Sequence, residues 1–216
     1  MRLVVDHLVV GAATLEQGVA WCEATLGVTP APGGAHPLMS THNRLLRIDG
    51  PGFARAYLEI IAIDPAAPPP GRTRWYDLDD PALQARLVRG PALIHWVAGV
   101  ADLDAAGAAW RAAGIERGEA LQASRGALRW RIAVRRDGAR LAQGQWPTLI
   151  EWGAAHPNDS LPASPVALRA LTLRGLPDWL RAPLAEGIGV ADDAGAPLEA
   201  VLATPLGERR LAVDAG

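Results

Sequence analysis

The chain has 216 residues, half of them hydrophobic and a fifth charged, with a formal net charge of −2. That length buries a core without staples, and the near-zero charge offers no basic field to nucleic acid. The single cysteine, Cys22, rules out an intrachain disulfide, and because all 21 basic residues are arginines, chemistry that needs an ε-amine is excluded. The Ala, Arg, Gly and Pro bias is that of a GC-rich bacterial genome. Asp6 and His7 interrupt the apolar stretch that a signal peptide requires, and no apolar segment reaches the roughly 20 residues needed to span a bilayer. The expectation is a cytoplasmic protein with a small-molecule partner, without nucleic-acid or membrane partners, as a monomer or homodimer.

In chain order, Leu3 to Val10 reads as a strand ending at Gly11. Thr14 caps a helix, with Gln17 in capping-box spacing. Leu15, Val19, Cys22 and Leu26 form its buried stripe, and Gly27 stops it. Pro30 to Pro37 is turn-rich. Strands follow at Asn43 to Ile48 and Tyr57 to Ile63, and Pro65 to Gly90 is a linker. The second half repeats the order. Ala92 to Val100 is a strand, Asp102 caps a helix striped by Leu103, Ala106 and Trp110, and Gly114 ends it. Leu128 to Val134 and Pro147 to Trp152 are strands with an Asp137-Gly138 turn between them. A third piece reads as a strand at Leu168 to Leu173, a helix at Pro177 to Glu186, and a hairpin of Leu198 to Ala203 with Arg209 to Val213.

Superposing His7 on His95 brings Gly27 and Gly114 within one residue of register and Glu59 near Glu151. The reading is an α+β fold: paired βαβββ modules forming an incomplete curved barrel around a cleft, plus a C-terminal βαββ half-module that extends or covers the sheet. The boundaries are 1–64 for the first module, 65–90 for the linker, 91–158 for the second module and 165–216 for the half-module.

Asp6-His7-Leu8-Val9-Val10, the loop Gly33 to His36 with Thr41 to Leu45, and Tyr57-Leu58-Glu59 resemble the opening of the glyoxalase-like family of the vicinal-oxygen-chelate superfamily. Arg125 to Trp130, Pro147 to Trp152 and His156-Pro157 continue the likeness. The resemblance implies the paired-module fold. It also implies a ligand set drawn from the first and last strands of each module: His7, Glu59, His95 and Glu151 around a divalent ion (Zn, Mn, Fe, Co or Ni). Such an ion would stabilise an oxyanion while Glu59 or Glu151 takes a proton, as in a lyase, isomerase or dioxygenase. The alternative is a metal-free binding protein that sequesters a hydrophobic or aromatic compound, using the same residues as polar anchors.

Each candidate also has a plainer reading. A strand histidine can be hydrogen-bonded structure, and strand alternation can turn either glutamate to solvent. His36, His42 and Asn43 offer donors to a substrate beside close-approach glycines, or they hydrogen-bond their own loop. Arg125 could grip a substrate carboxylate or phosphate, or lie on the surface. Trp96, Trp130, Trp146 and Trp152 sit in or beside second-module strands as core, or one or two of them, Trp130 among the candidates, wall an aromatic-lined site.

Overall fold

The computed structural model describes residues 1–213, so the last three residues of the C-terminal piece lie outside it. The first module comprises β1 (Val4–Gly11), α1 (Leu15–Leu26), β2 (Ala31–His36), β3 (Thr41–Arg47) and β4 (Tyr57–Ile63). The second comprises β5 (Ala92–Gly99), α3 (Leu103–Ala112), β6 (Glu119–Arg125), β7 (Leu128–Val134) and β8 (Thr148–Trp152), with α2 (Pro81–Arg89) between the modules. Their strands form one eight-stranded sheet in the order β2-β3-β4-β1-β5-β8-β7-β6, and β1 and β5 join antiparallel at its centre. The sheet curls until Arg125, at the end of β6, lies against Gly34 of β2. The expected α+β half-barrel is what the chain forms.

The two faces divide the core. Leu8, Val10, Leu58, Ile60, Trp96 and Leu149 point to the convex side, where α1 and α3 pack. Val9, Ile61, Val97, Trp130, Ile132 and Ile150 point to the concave side. Both helices carry the caps expected of them. Thr14 accepts from the Gln17 amide at 3.1 Å, and Asp102 accepts from the amides of Asp104 and Ala105 at 2.9 Å. Along α1, Gly18 is buried and Val19 only half-buried. A Cβ at Gly18 would fall on Ile60, so the helix meets β4 through its glycine.

Three segments differ from expectation. The turn-rich stretch is the edge strand β2, a position that tolerates Pro32. The linker holds α2, capped by Asp80 with Pro81 in its first turn, and a strap whose Trp75 and Tyr76 are buried over the concave face. The strap is held where Arg140 pairs with Asp77 at 2.7 Å and donates to the Ile94 carbonyl at 2.6 Å. β6 is the third. Its alternating, largely polar sequence suits an exposed edge and gave no apolar signal.

The C-terminal piece contains β9 (Ala167–Arg174), α4 (Asp178–Arg181), β10 (Ile188–Ala191), β11 (Leu198–Thr204) and β12 (Gly207–Ala212). The expected helix is a single turn, followed by β10. Its strands form their own sheet, ordered β10-β9-β11-β12. That order differs from the modules, where the first strand sits beside the last. This sheet covers the convex face, sharing one core with Leu3, Trp96 and Trp110.

Candidate active site

The site begins with a bulge. In the β1–β5 ladder Val5 pairs with Ala98 and His7 with Val97, which leaves Asp6 unpaired. An extra residue lets two neighbours turn to the same side. The His7 Nδ1–H donates to Asp6 Oδ1 at 2.7 Å, and Asp6 Oδ2 accepts from Trp152 Nε1 at 2.8 Å and His156 Nε2 at 3.2 Å. Burial opposes a charge on Asp6, yet the hydrogen bonds from His156 and His7 outweigh it and hold its pKa down to about 2. The carboxylate therefore fixes His7 with Nε2 facing away from it, 3.6 Å from Glu59 Oε2. Tyr57 stacks on the His7 ring at 4.5 Å.

Glu59 comes from β4, opposite Val9 of β1 and Leu45 of β3, and is 5% exposed. Asn43 Nδ2 donates to its Oε1 at 2.6 Å, while Asn43 Oδ1 accepts from the Gly34 amide at 2.9 Å and Arg125 Nη1 at 3.0 Å. His36 Nε2 lies 3.3 Å from Asn43 Nδ2 and 3.5 Å from Arg125 Nη1. Both neighbours are donors, so Nε2 is the bare nitrogen and Nδ1–H points to Thr41 Oγ1 at 3.1 Å. Burial, aided by Arg125, lowers the His36 pKa to about 4, against a smaller opposing pull from Glu59. Trp75, Tyr76, Trp130 and Trp152 wall the chamber, whose interior volume is about 30 Å³. The Arg125 guanidinium has Asn43 and His36 as its polar neighbours and, among the described residues, no carboxylate partner.

Of the residues singled out in the sequence, His7, His36, Asn43, Glu59, Arg125 and Trp130 line one chamber. His42, His95 and Glu151 do not. His42 alternates with Asn43 along β3, so it faces the other side, 4.0 Å from Asp64. Glu151 also faces the convex side. Its Oε2 accepts from the Leu103 amide at 2.6 Å, capping α3, and lies 3.5 Å from Arg131. His95 is on the concave face but fully engaged. Nδ1–H donates to the Gly144 carbonyl at 3.1 Å, and Nε2 accepts from the Thr148 amide at 3.1 Å.

The pairing shows why the superposition misplaced the second carboxylate. Glu59 pairs with Val9, two residues after His7, and Thr148 pairs with Val97, two residues after His95. Thr148 thus occupies the place of Glu59, and Glu151 lies three residues beyond it. A second bulge precedes His95, at Ile94, where the first module has Asp6. The repeat is real, but the second module carries Ile94 and Thr148 where the first carries its two acids. The four proposed ligands therefore do not fit one ion. Among the described residues, no group of three or more His, Cys, Asp or Glu side chains is arranged to hold a metal.

Asp6, Tyr57, Trp75 and Tyr76 line or support the chamber without having been singled out as site residues, whereas Trp152 joins Trp130 on its wall. The only sequence signal for Asp6 was its adjacency to His7, and nothing marked Trp75 in a Pro-rich linker. Burial, then Arg140, also lowers the pKa of His95, to about 3. His36 and His95 are expected to stay neutral, as Nδ1–H tautomers, from pH 8 down to pH 5. Long-range ¹H–¹⁵N NMR checks this; an imidazolium spectrum for either at pH 6 contradicts the burial argument.

A family model described as a glyoxalase-like domain matches residues 5–184. A search of curated protein sequences finds no match. Among solved structures, a hypothetical protein from Staphylococcus aureus is 12% identical, with 98% of this chain and 86% of that chain covered and a TM-score of 0.61. It supports the fold alone. Methylmalonyl-CoA epimerase from Streptomyces coelicolor, in complex with 2-nitronate-propionyl-CoA, is 21% identical over 71% of this chain and 98% of that one, with a TM-score of 0.45. The epimerase from Mycobacterium tuberculosis is 20% identical over 74% and 95%, also at 0.45. No helix among the described residues is long and apolar enough to cross a membrane. The family match spans both modules and their shared chamber, and the chain belongs to the glyoxalase-like domain family.

Proposed function

We propose that the chamber is the active site of a small-molecule lyase or isomerase that moves a proton at a carbon next to an oxygen-bearing group. One observation carries this reading: a buried acid–base pair, Glu59 Oε2 and His7 Nε2, 3.6 Å apart, beside an arginine with no carboxylate partner among the described residues. Asn43 occupies Oε1 of Glu59 and leaves Oε2 as the base. The proton passes from carbon to Oε2, and the electron pair moves onto the substrate oxygen held by the Arg125 guanidinium. His7, when protonated at Nε2, returns a proton, with Asp6 keeping the ring in register. The small interior suits a short carboxylate, or the reacting end of a longer one. Because the four-residue ligand set does not converge, no step is assigned to a divalent ion, and dioxygenase chemistry has no residues assigned to it.

The test is solvent deuterium exchange, followed by NMR, into a panel of short 2-oxo, 2-hydroxy and 2-methyl carboxylates. The wild-type protein is expected to exchange the proton next to the carboxylate or carbonyl carbon of at least one. Glu59→Gln is expected to slow that exchange by at least about 100-fold, the usual span of a general base. Binding without exchange in the wild type would favour the sequestering alternative, for which the aromatic walls already provide a surface.

A further inference from the structure

β7 and β8 pair only where Trp130 to Ile132 face Ile150 to Trp152. Beyond that the strands part, and a second chamber opens between Ala133–Arg135 and Pro147–Leu149. The strap residues Trp75 and Tyr76 close it on one side, so they wall both chambers.

Arg117 lines this second chamber and is 7% exposed. Its Nη2 donates to the Leu103 carbonyl at 3.2 Å, while Nε and Nη1 have no acceptor. The acids nearest in charge are committed elsewhere. Asp104 pairs with Arg131 at 2.7 Å, and Glu116 accepts from the Gly118 amide at 2.7 Å. Burial, and then the like charge of Arg111, pull the pKa of Arg117 below the usual arginine value. The placement is built into the fold: a Cβ at Gly107 of α3 would fall on the guanidinium, so only glycine admits it there.

Trp75 and Trp146 line the same chamber, and neither indole N–H has an acceptor. Among the described residues, every buried side-chain atom on this lining that lacks a partner is therefore a donor, and two of them belong to a guanidinium. A water molecule could accept hydrogen bonds but would leave the buried charge unbalanced, whereas an anion does both. The interior volume of about 20 Å³ has room for one or two water-sized species. It is too small for a phosphorylated metabolite.

We propose that this chamber is a binding site for a small inorganic monovalent anion of halide size, held by Arg117 with the indole N–H groups of Trp146 and Trp75. The site is distinct from the Glu59 chamber and does not depend on the reaction assigned there. Because the strap walls both, the anion would also fix one face of the active site.

Chloride is the probe. The 216-residue chain in sodium chloride is expected to melt a few degrees higher than in sodium gluconate of equal ionic strength, with saturation. Excess ³⁵Cl line broadening should saturate over the same range and be displaced by bromide. Arg117→Met keeps the aliphatic stem, removes the charge and should abolish both responses. An absent response in the wild type, or an undiminished one in Arg117→Met, overturns the proposal. Should that variant fail to fold, crystals of the wild type grown in bromide decide: an anomalous peak within hydrogen-bond reach of Arg117 supports the site. Bromide found only beside Arg125, or nowhere, overturns it.

Discussion

Asp6→Asn is expected to destabilise the protein by about 2 kcal/mol at pH 7, and the loss should depend on pH in a specified direction. The Asp6 carboxylate has a folded pKa of about 2 against an ordinary value of 3.8, and each unit of difference is worth about 1.4 kcal/mol. A depressed carboxylate pKa contributes fully above the unfolded value. That contribution fades as pH falls from about 4 through about 2. The group is buried, so solvent screening does not erode it. Urea unfolding of both proteins at pH 7 and then in steps down to pH 2 measures the difference. The gap between them should narrow by most of its value over that interval. A gap independent of pH would mean that Asp6 acts by shape and hydrogen bonding alone. It would also remove the charged anchor on which the orientation of His7 rests. A separate consequence concerns the ring itself: with asparagine at position 6, His7 loses its anionic acceptor, and its preference for the Nδ1–H tautomer should weaken in the NMR spectrum.

How much of this could be read in the sequence varied with the kind of signal. Period-two alternation and capped apolar stripes are local, so β1, α1, β4, β5 and α3 were evident from their residues. β2 was hidden because Pro32, Gly33 and Gly34 signal a turn. It is a strand because β3 supplies its partner across a four-residue turn, and nothing in its own composition records that pairing. β6 was hidden by polarity, the mark of an edge strand that the barrel needs but does not bury. In the site, six candidates converge because they share one face of a curled sheet, and that face follows from alternation once register is known. Register was the missing quantity. Without the pairing of Val97 with Thr148, Glu151 looked like the counterpart of Glu59, and an odd offset of three residues sent its side chain to α3. Two bulges, at Asp6 and Ile94, have no compositional signature at all. They decide which neighbour of each histidine can reach it.

Truncation after residue 164 is expected to leave a chain that does not fold cooperatively. The C-terminal sheet is not an appendage, because its inner face and the convex face of the half-barrel are one core. Leu168, Leu171, Leu173, Leu198 and Leu202 are all fully buried. At roughly 1.5–3 kcal/mol for each such side chain, these five leucines rival the entire stability of a typical domain, about 5–15 kcal/mol. Their removal would also bare Trp96 and Trp110, both fully buried. The backbone is joined as well. The Leu168 amide donates to the Ile48 carbonyl at 2.9 Å, and Leu3 exchanges 2.8 Å bonds with the segment Pro183 to Ala185. A Cβ at Gly50 would collide with the Leu168 carbonyl, so the two sheets meet as closely as the backbone allows. Circular dichroism melting and amide dispersion in NMR distinguish the outcomes. A cooperative melt and dispersed spectrum for 1–164 would make the C-terminal piece a separable unit. The effect reaches the chemistry through β1, because Leu3 anchors the strand three residues before the Asp6 bulge. His7 is therefore aimed partly by a C-terminal piece that lends the chamber no residue.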